Sequence, residues 1–159
     1  MTRELVLKIP EEEFKIDLLL FEDEAPETCR AILQSLPIKG SLVHTNFSGQ
    51  MVVIELRGES IIKAPKENLV KNVRVRDVTY WYSYWDHPGL IHGVDEYAEI
   101  GFVYGRHVRP AYVWGEKSVN LFGVVSSNYN DLFRMARRIR VEGAKEAIIE
   151  LKHSGDGGE

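Results

Sequence analysis

The feature that most constrains this chain is a succession of short segments in which apolar and polar residues alternate, each bounded by Gly, Pro, Asn or charged residues. A period of two sends successive side chains to opposite faces of a strand, so each segment predicts a strand with one buried row. RELVLKI alternates Leu5, Leu7 and Ile9 with Glu4 and Lys8, and FKIDLLL alternates Phe14, Ile16, Leu18 and Leu20 with Lys15 and Asp17. The intervening PEEE makes the pair a hairpin. SLVHTNF, MVVIEL, VRVRDVTYW, EIGFVYG, VNLFGVVS and KEAIIELK predict further strands.

Two segments break this rhythm. DEAPETCRAILQSLP opens with acidic residues, carries Pro26 in its first turn, sets Cys29, Ile32, Leu33 and Leu36 at helical spacing, and stops at Pro37. YNDLFRMARRIR places Leu132, Met135, Ala136 and Ile139 on one face, with Asn128 or Asn130 as cap and Gly143 beyond its end. Arg137, Arg138 and Arg140 fall in its last turn, where the helix dipole favours cations. About eight strands and two short helices, without a βαβ rhythm, predict a mainly β protein: a closed antiparallel barrel whose open ends are plugged by the helices.

A chain of 159 residues is the length of one domain. Residues 1–152 are expected to form the barrel, and the polar, Gly-rich HSGDGGE of residues 153–159 to fray as a disordered tail. A formal net charge of -4 argues against a nucleic-acid partner. Cys29 is the one cysteine, so no internal disulfide forms. The N-terminus has no signal-peptide core, and the longest apolar run, IDLLLF, is broken by Asp17. These features predict a soluble, cytoplasmic protein with no membrane partner.

Candidate functional residues cluster around YWYSYWDHPGLIHG, residues 80–93. In a strand, Tyr80, Tyr82 and Tyr84 point to one face and Trp81 and Trp85 to the other, so the five rings cannot line one cavity. They either fill the core or, at the strand end, form a pocket rim with Tyr84 and Trp85. His87 and His92, with Asp86 and Asp95, have the residue types of a metal site but match no standard zinc spacing, and no metal or other cofactor is expected. His44 in LVHTNF is placed to face the interior, and Arg106 after Gly105 to anchor a carboxylate by its planar fork. No Gly-rich phosphate loop or Gly-x-Ser-x-Gly elbow is present.

Two stretches carry a resemblance. FEDEAPETCRAILQSL is similar to the cyclophilin segment in which a strand runs through an acidic turn into the first helix. VNLFGVVSSNYNDLFRMARRI resembles the later segment in which a Phe-Gly-Lys-Val strand leads into the second helix. RDVTYW, GFVYGR and SVNLFG resemble in turn the strands of a prokaryotic cyclophilin-like family of uncharacterised function, the whole spanning most of residues 3–152.

The resemblance implies a cyclophilin-like barrel, with Trp114 at the position of the pocket tryptophan. It also implies lost chemistry. Where prolyl isomerases of this fold carry Phe-His-Arg, this chain keeps His44 but has Thr45 at the arginine. Phe-Met-x-Gln-Gly-Gly-Asp has no counterpart, and Val119 replaces the later histidine. Amide rotation has a barrier of about 18–20 kcal/mol, and its catalysis calls for a placed donor.

The expectation is a barrel that binds a small molecule or an extended peptide through some of His44, Trp81, Tyr84, Phe102, Tyr104, Arg106 and Trp114, rather than an active prolyl isomerase. The alternatives are a weak isomerase in which Arg57, Arg74, Arg76, Arg106 or Arg109 substitutes, and a metal-assisted enzyme using His87 and His92. An exposed strand edge offers a route to a homodimer.

Overall fold

The structure, a computed structural model, describes residues 3–85 and 95–153. In chain order its elements are β1 (Glu4–Ile9), β2 (Phe14–Leu20), α1 (Pro26–Gln34), β3 (Ile38–His44), β4 (Gly49–Leu56), β5 (Leu69–Val70), β6 (Asp77–Tyr82), β7 (Ala98–Val108), β8 (Ala111–Tyr112), β9 (Gly115–Glu116), β10 (Val119–Ser127), α2 (Tyr129–Glu142) and β11 (Lys145–Leu151). The sheet runs β2-β1-β11-β3-β4-β7-β6-β10 and closes through a further pairing of β2 with β10. Eight antiparallel staves therefore form a barrel, as the alternating segments predict. The two-residue β5 pairs with one end of β10, and β8 and β9 make a separate small hairpin.

Period-two patterning decides which residues fill the barrel. Leu5, Leu7, Ile16, Leu18, Phe102 and Phe122 belong to one continuous core. Leu132, Met135, Ala136 and Ile139 of α2 and Cys29 and Ile32 of α1 join it, so both helices bury the faces their spacing marks. Each fully buried Leu or Phe contributes about 1.5–3 kcal/mol of transfer free energy. Burial pushes the Cys29 thiol up to about 12, and the thiol donates weakly to Phe122 O at 3.6 Å. That is the environment of an inert core cysteine.

At the seam between β2 and β10 the chains approach so closely that a Cβ on Gly123 would lie 2.7 Å from Leu19 O. Glycine is required there, next to a register shift between Leu121 and Gly123.

The structure alters three local expectations. The strand predicted from Val73 begins only at Asp77, because Arg76 takes a left-handed backbone (φ 82°) and the Asp77 carboxylate accepts the Arg74 N–H at 2.7 Å. Asn128 precedes α2 as anticipated, but its side chain makes no cap; it donates to Lys15 O at 3.3 Å. Trp85 does not oppose Tyr80. The strand ends at Tyr82, the following turn swings Trp85 around, and the two rings meet edge to face at 5.7 Å. The expected tail beyond His153 lies outside the described residues. Among the described residues no helix is long and apolar enough to cross a membrane.

Candidate ligand site on the outer face of the barrel

The alternation that sends Phe102 and Ile100 inward leaves Glu99 and Tyr97 on the outer face of the β7 side, beside Trp81 of β6 and Glu55 of β4. The segment carrying β8 and β9 folds over this face and brings Tyr112, Trp114 and Lys117. Their meeting makes a cavity of about 430 Å³, lined among others by Glu55, Arg57, Tyr97, Glu99, Tyr112 and Lys117.

At its base Lys117 donates from Nζ to the Glu99 carboxylate, with side chains only 5% and 10% exposed. The ammonium stands 3.6 Å from the centre of the Trp81 ring and 5.7 Å from that of Tyr112. Burial pulls Lys117 below the ordinary lysine range, against the opposing pull of Glu99. The π face and the carboxylate together compensate a charge that burial alone would make costly.

Around this pair the rings form a box. Trp81 meets Tyr97 at 5.7 Å, Tyr112 at 5.5 Å and Trp114 at 6.3 Å, and Tyr112 meets Trp114 at 4.8 Å. Burial, with the nearby Glu99 and Tyr112, drives the Tyr97 phenol far above its ordinary value, so it stays a neutral hydroxyl. At the mouth, Arg57 lies 4.7 Å over the Tyr97 ring and pairs with Glu55 at 3.6 Å. Phe47, 54% exposed, and Trp114, 44% exposed, stand at the apolar edge. The site thus offers flat apolar walls with two cations and two carboxylates, the mix found in small-molecule sites.

The anticipated residues divide between places. His44 lines this outer cavity, and Trp81 and Trp114 flank it through their ring contacts with its Tyr112 wall. Phe102 is fully buried in the barrel core. His44 also reaches Tyr104 in an adjoining hollow, their rings 5.6 Å apart with His44 Nε2 2.6 Å from the Tyr104 hydroxyl. Tyr84 packs near Tyr82 at 6.1 Å, and Arg106 is exposed on a shallow hollow with Phe47 and Val108. His87 and His92 lie outside the described residues; among those described, no cluster of His, Cys, Asp and Glu could hold a metal. The stem of that segment is tied by Ser83, whose hydroxyl donates to Asp95 O at 2.6 Å and accepts the Tyr97 N–H at 2.9 Å.

Sequence reasoning passed over Glu99, Tyr97, Tyr112 and Lys117. The available signal was Glu99 at an outward position within the otherwise uncharged run EIGFVYG.

No functionally curated protein matches the chain. Among solved structures, it is similar to the hypothetical protein AF2241 from Archaeoglobus fulgidus, at 23% identity over 95% of both chains and a TM-score of 0.60. The structure of McbB in complex with tryptophan matches at 12% identity and a TM-score of 0.66, over 95% of this chain and 45% of that one. A cyclophilin-type peptidyl-prolyl cis-trans isomerase of Cryptosporidium parvum matches at 11% identity and 0.52, over 97% and 99%. These likenesses establish the cyclophilin-like fold. At the level of sequence, residues 7–151 match the model of the family described as "Protein of unknown function (DUF3830)", and the chain belongs to that family.

Proposed function

We propose that this protein binds a small organic ligand in the outer-face cavity, holding a flat apolar group against Tyr112 and Trp114 and a polar head near Lys117, Glu99 and Arg57. The observation that carries this reading is the buried Lys117–Glu99 pair at the base of an aromatic-walled cavity of about 430 Å³. A structural ion pair needs no cavity beside it, whereas a ligand site combines an apolar-walled cavity with a few placed polar groups. McbB, a fold relative, is solved with tryptophan bound, which makes aromatic amino acids and aromatic acids reasonable first probes. Titration of such a panel, followed by the chain's own tryptophan fluorescence and by calorimetry, tests the reading. Saturable binding that weakens at least tenfold in Tyr112→Ala and Trp114→Ala supports it; binding indifferent to both substitutions overturns it.

One observation favours a second reading. Arg57 lines the mouth of the same cavity, so an atypical prolyl isomerase, in which its guanidinium leaves Glu55 to donate to a peptide amide, is the alternative. Turnover of a proline peptide above the uncatalysed rate, abolished by Arg57→Ala, would establish it.

A further inference from the structure

A second cavity, of about 500 Å³, lies on the other side of the β3–β4 turn, where His44, Tyr104, Gln50, Arg137 and Arg140 converge. The two cavities share His44, Thr45 and Asn46, but this one adds two arginines and, unlike the outer-face site, includes no Asp or Glu. Arg137 and Arg140 are one helical turn apart on α2 and project from the same side. Several other arginines of the chain are neutralised locally. Arg3 pairs with Glu22, Arg134 with Asp131, and Arg138 with Glu12 and Glu142. Neither Arg137 nor Arg140 meets a carboxylate among the described residues; Arg137 lies 5.9 Å over the Phe133 ring. Both act on the Tyr104 phenol, which burial raises and their charges pull back down.

We propose that this cavity binds a phosphate group, free or carried on a larger molecule. Two guanidinium forks facing one hollow suit a dianion with three or more acceptor oxygens better than a single carboxylate. The floor is ordered for the purpose. The His44 Nδ1 is 2.9 Å from Thr45 O and its Nε2 2.6 Å from the Tyr104 hydroxyl, so the ring is held at both nitrogens. The Tyr129 hydroxyl, donating to Tyr104 O at 2.5 Å, anchors α2 against β7 and fixes the arginines relative to that floor. In a chain of net charge -4, a concave patch free of acid focuses a positive potential.

The test is titration with inorganic phosphate at constant ionic strength, followed by arginine Nε–Hε NMR signals, beside the same titration with acetate. Saturable shifts confined to Arg137 and Arg140, at least tenfold weaker with acetate, are expected. The variant Arg137→Gln/Arg140→Gln should lose that binding at least tenfold while keeping its thermal midpoint, because both side chains are exposed. Equal shifts at all surface arginines, or unchanged affinity in the double variant, overturn the proposal. Saturation by acetate as tight as by phosphate overturns the phosphate assignment. Binding of aromatic probes at the outer-face cavity is read from Trp114 and is unaffected by either outcome.

Discussion

The Lys117 ammonium is held between the Glu99 carboxylate and the face of Trp81, all three nearly removed from solvent. Removing one partner of such a pair leaves the other charge buried and uncompensated, at a cost of about 3–5 kcal/mol. Glu99→Gln and Lys117→Met should each lower the urea midpoint by a corresponding amount. The double variant should be more stable than the sum of the two predicts, because no stranded charge remains. Additive losses in the cycle would mean that the two side chains act independently.

Glu67 caps α1 from 40 residues away in sequence. Its carboxylate accepts the N–H groups of Glu27 at 3.0 Å and Thr28 at 2.8 Å, and the Thr28 hydroxyl at 2.8 Å. Burial pulls this carboxyl upward, but the backbone N–H donors outweigh it and the net shift is downward. A carboxyl lowered in the folded state stabilises the protein above its unfolded value and loses that contribution as pH falls through the folded one. Glu67→Ala should therefore cost about 0.5–2 kcal/mol near neutrality. The difference in melting temperature between the two proteins should shrink from pH 6 to pH 3. A gap that persists at pH 3 would assign the loss to packing instead.

The barrel was legible because its information is local: the inward rows of β1, β2 and β4 are set by alternate residues, and α2 by a repeat of three and four. The candidate site was only partly legible because its parts come from strands far apart in sequence. Trp81 and Trp114 were singled out, yet nothing in the spacing joins Glu99 to Lys117. Both look like ordinary surface charges until β8 and β9 fold over the outer face. Trp85 shows the complementary failure, since an alternation rule holds only while the strand lasts. Its indole N–H donates to Ala64 O at 3.0 Å on the side a continued strand would not reach.

Tyr80 is a polar bolt inside an apolar barrel. Its hydroxyl donates to Ile62 O and accepts the Ala64 N–H at 3.1 Å, tying the connection between β4 and β5 to β6. Burial raises its phenol well above the ordinary range, so the group is a neutral hydroxyl around neutral pH. Tyr80→Phe keeps the ring but strands a carbonyl and an amide, costing about 1–3 kcal/mol. Equilibrium urea unfolding should show a lower midpoint with an unchanged slope; a midpoint equal to that of the parent would mean that water satisfies both groups.

Gly123 sits where β10 meets β2 and the barrel closes. A methyl group there would press on Leu19 O, a backbone atom that cannot rotate away, at 2.7 Å. Gly123→Ala should therefore spread the seam, lengthening the pairing of Gly123 with Leu20 and Val124 with Leu19. Because the rest of the sheet is held by its own ladders, the loss should concentrate at that joint rather than spread evenly. Amide exchange is expected to accelerate at Leu19 and Val124 by tenfold or more while β3 and β4 keep their protection. Uniform acceleration across all eight staves would instead mean that the barrel opens only as one unit, and that closure of β2 on β10 is inseparable from its global stability.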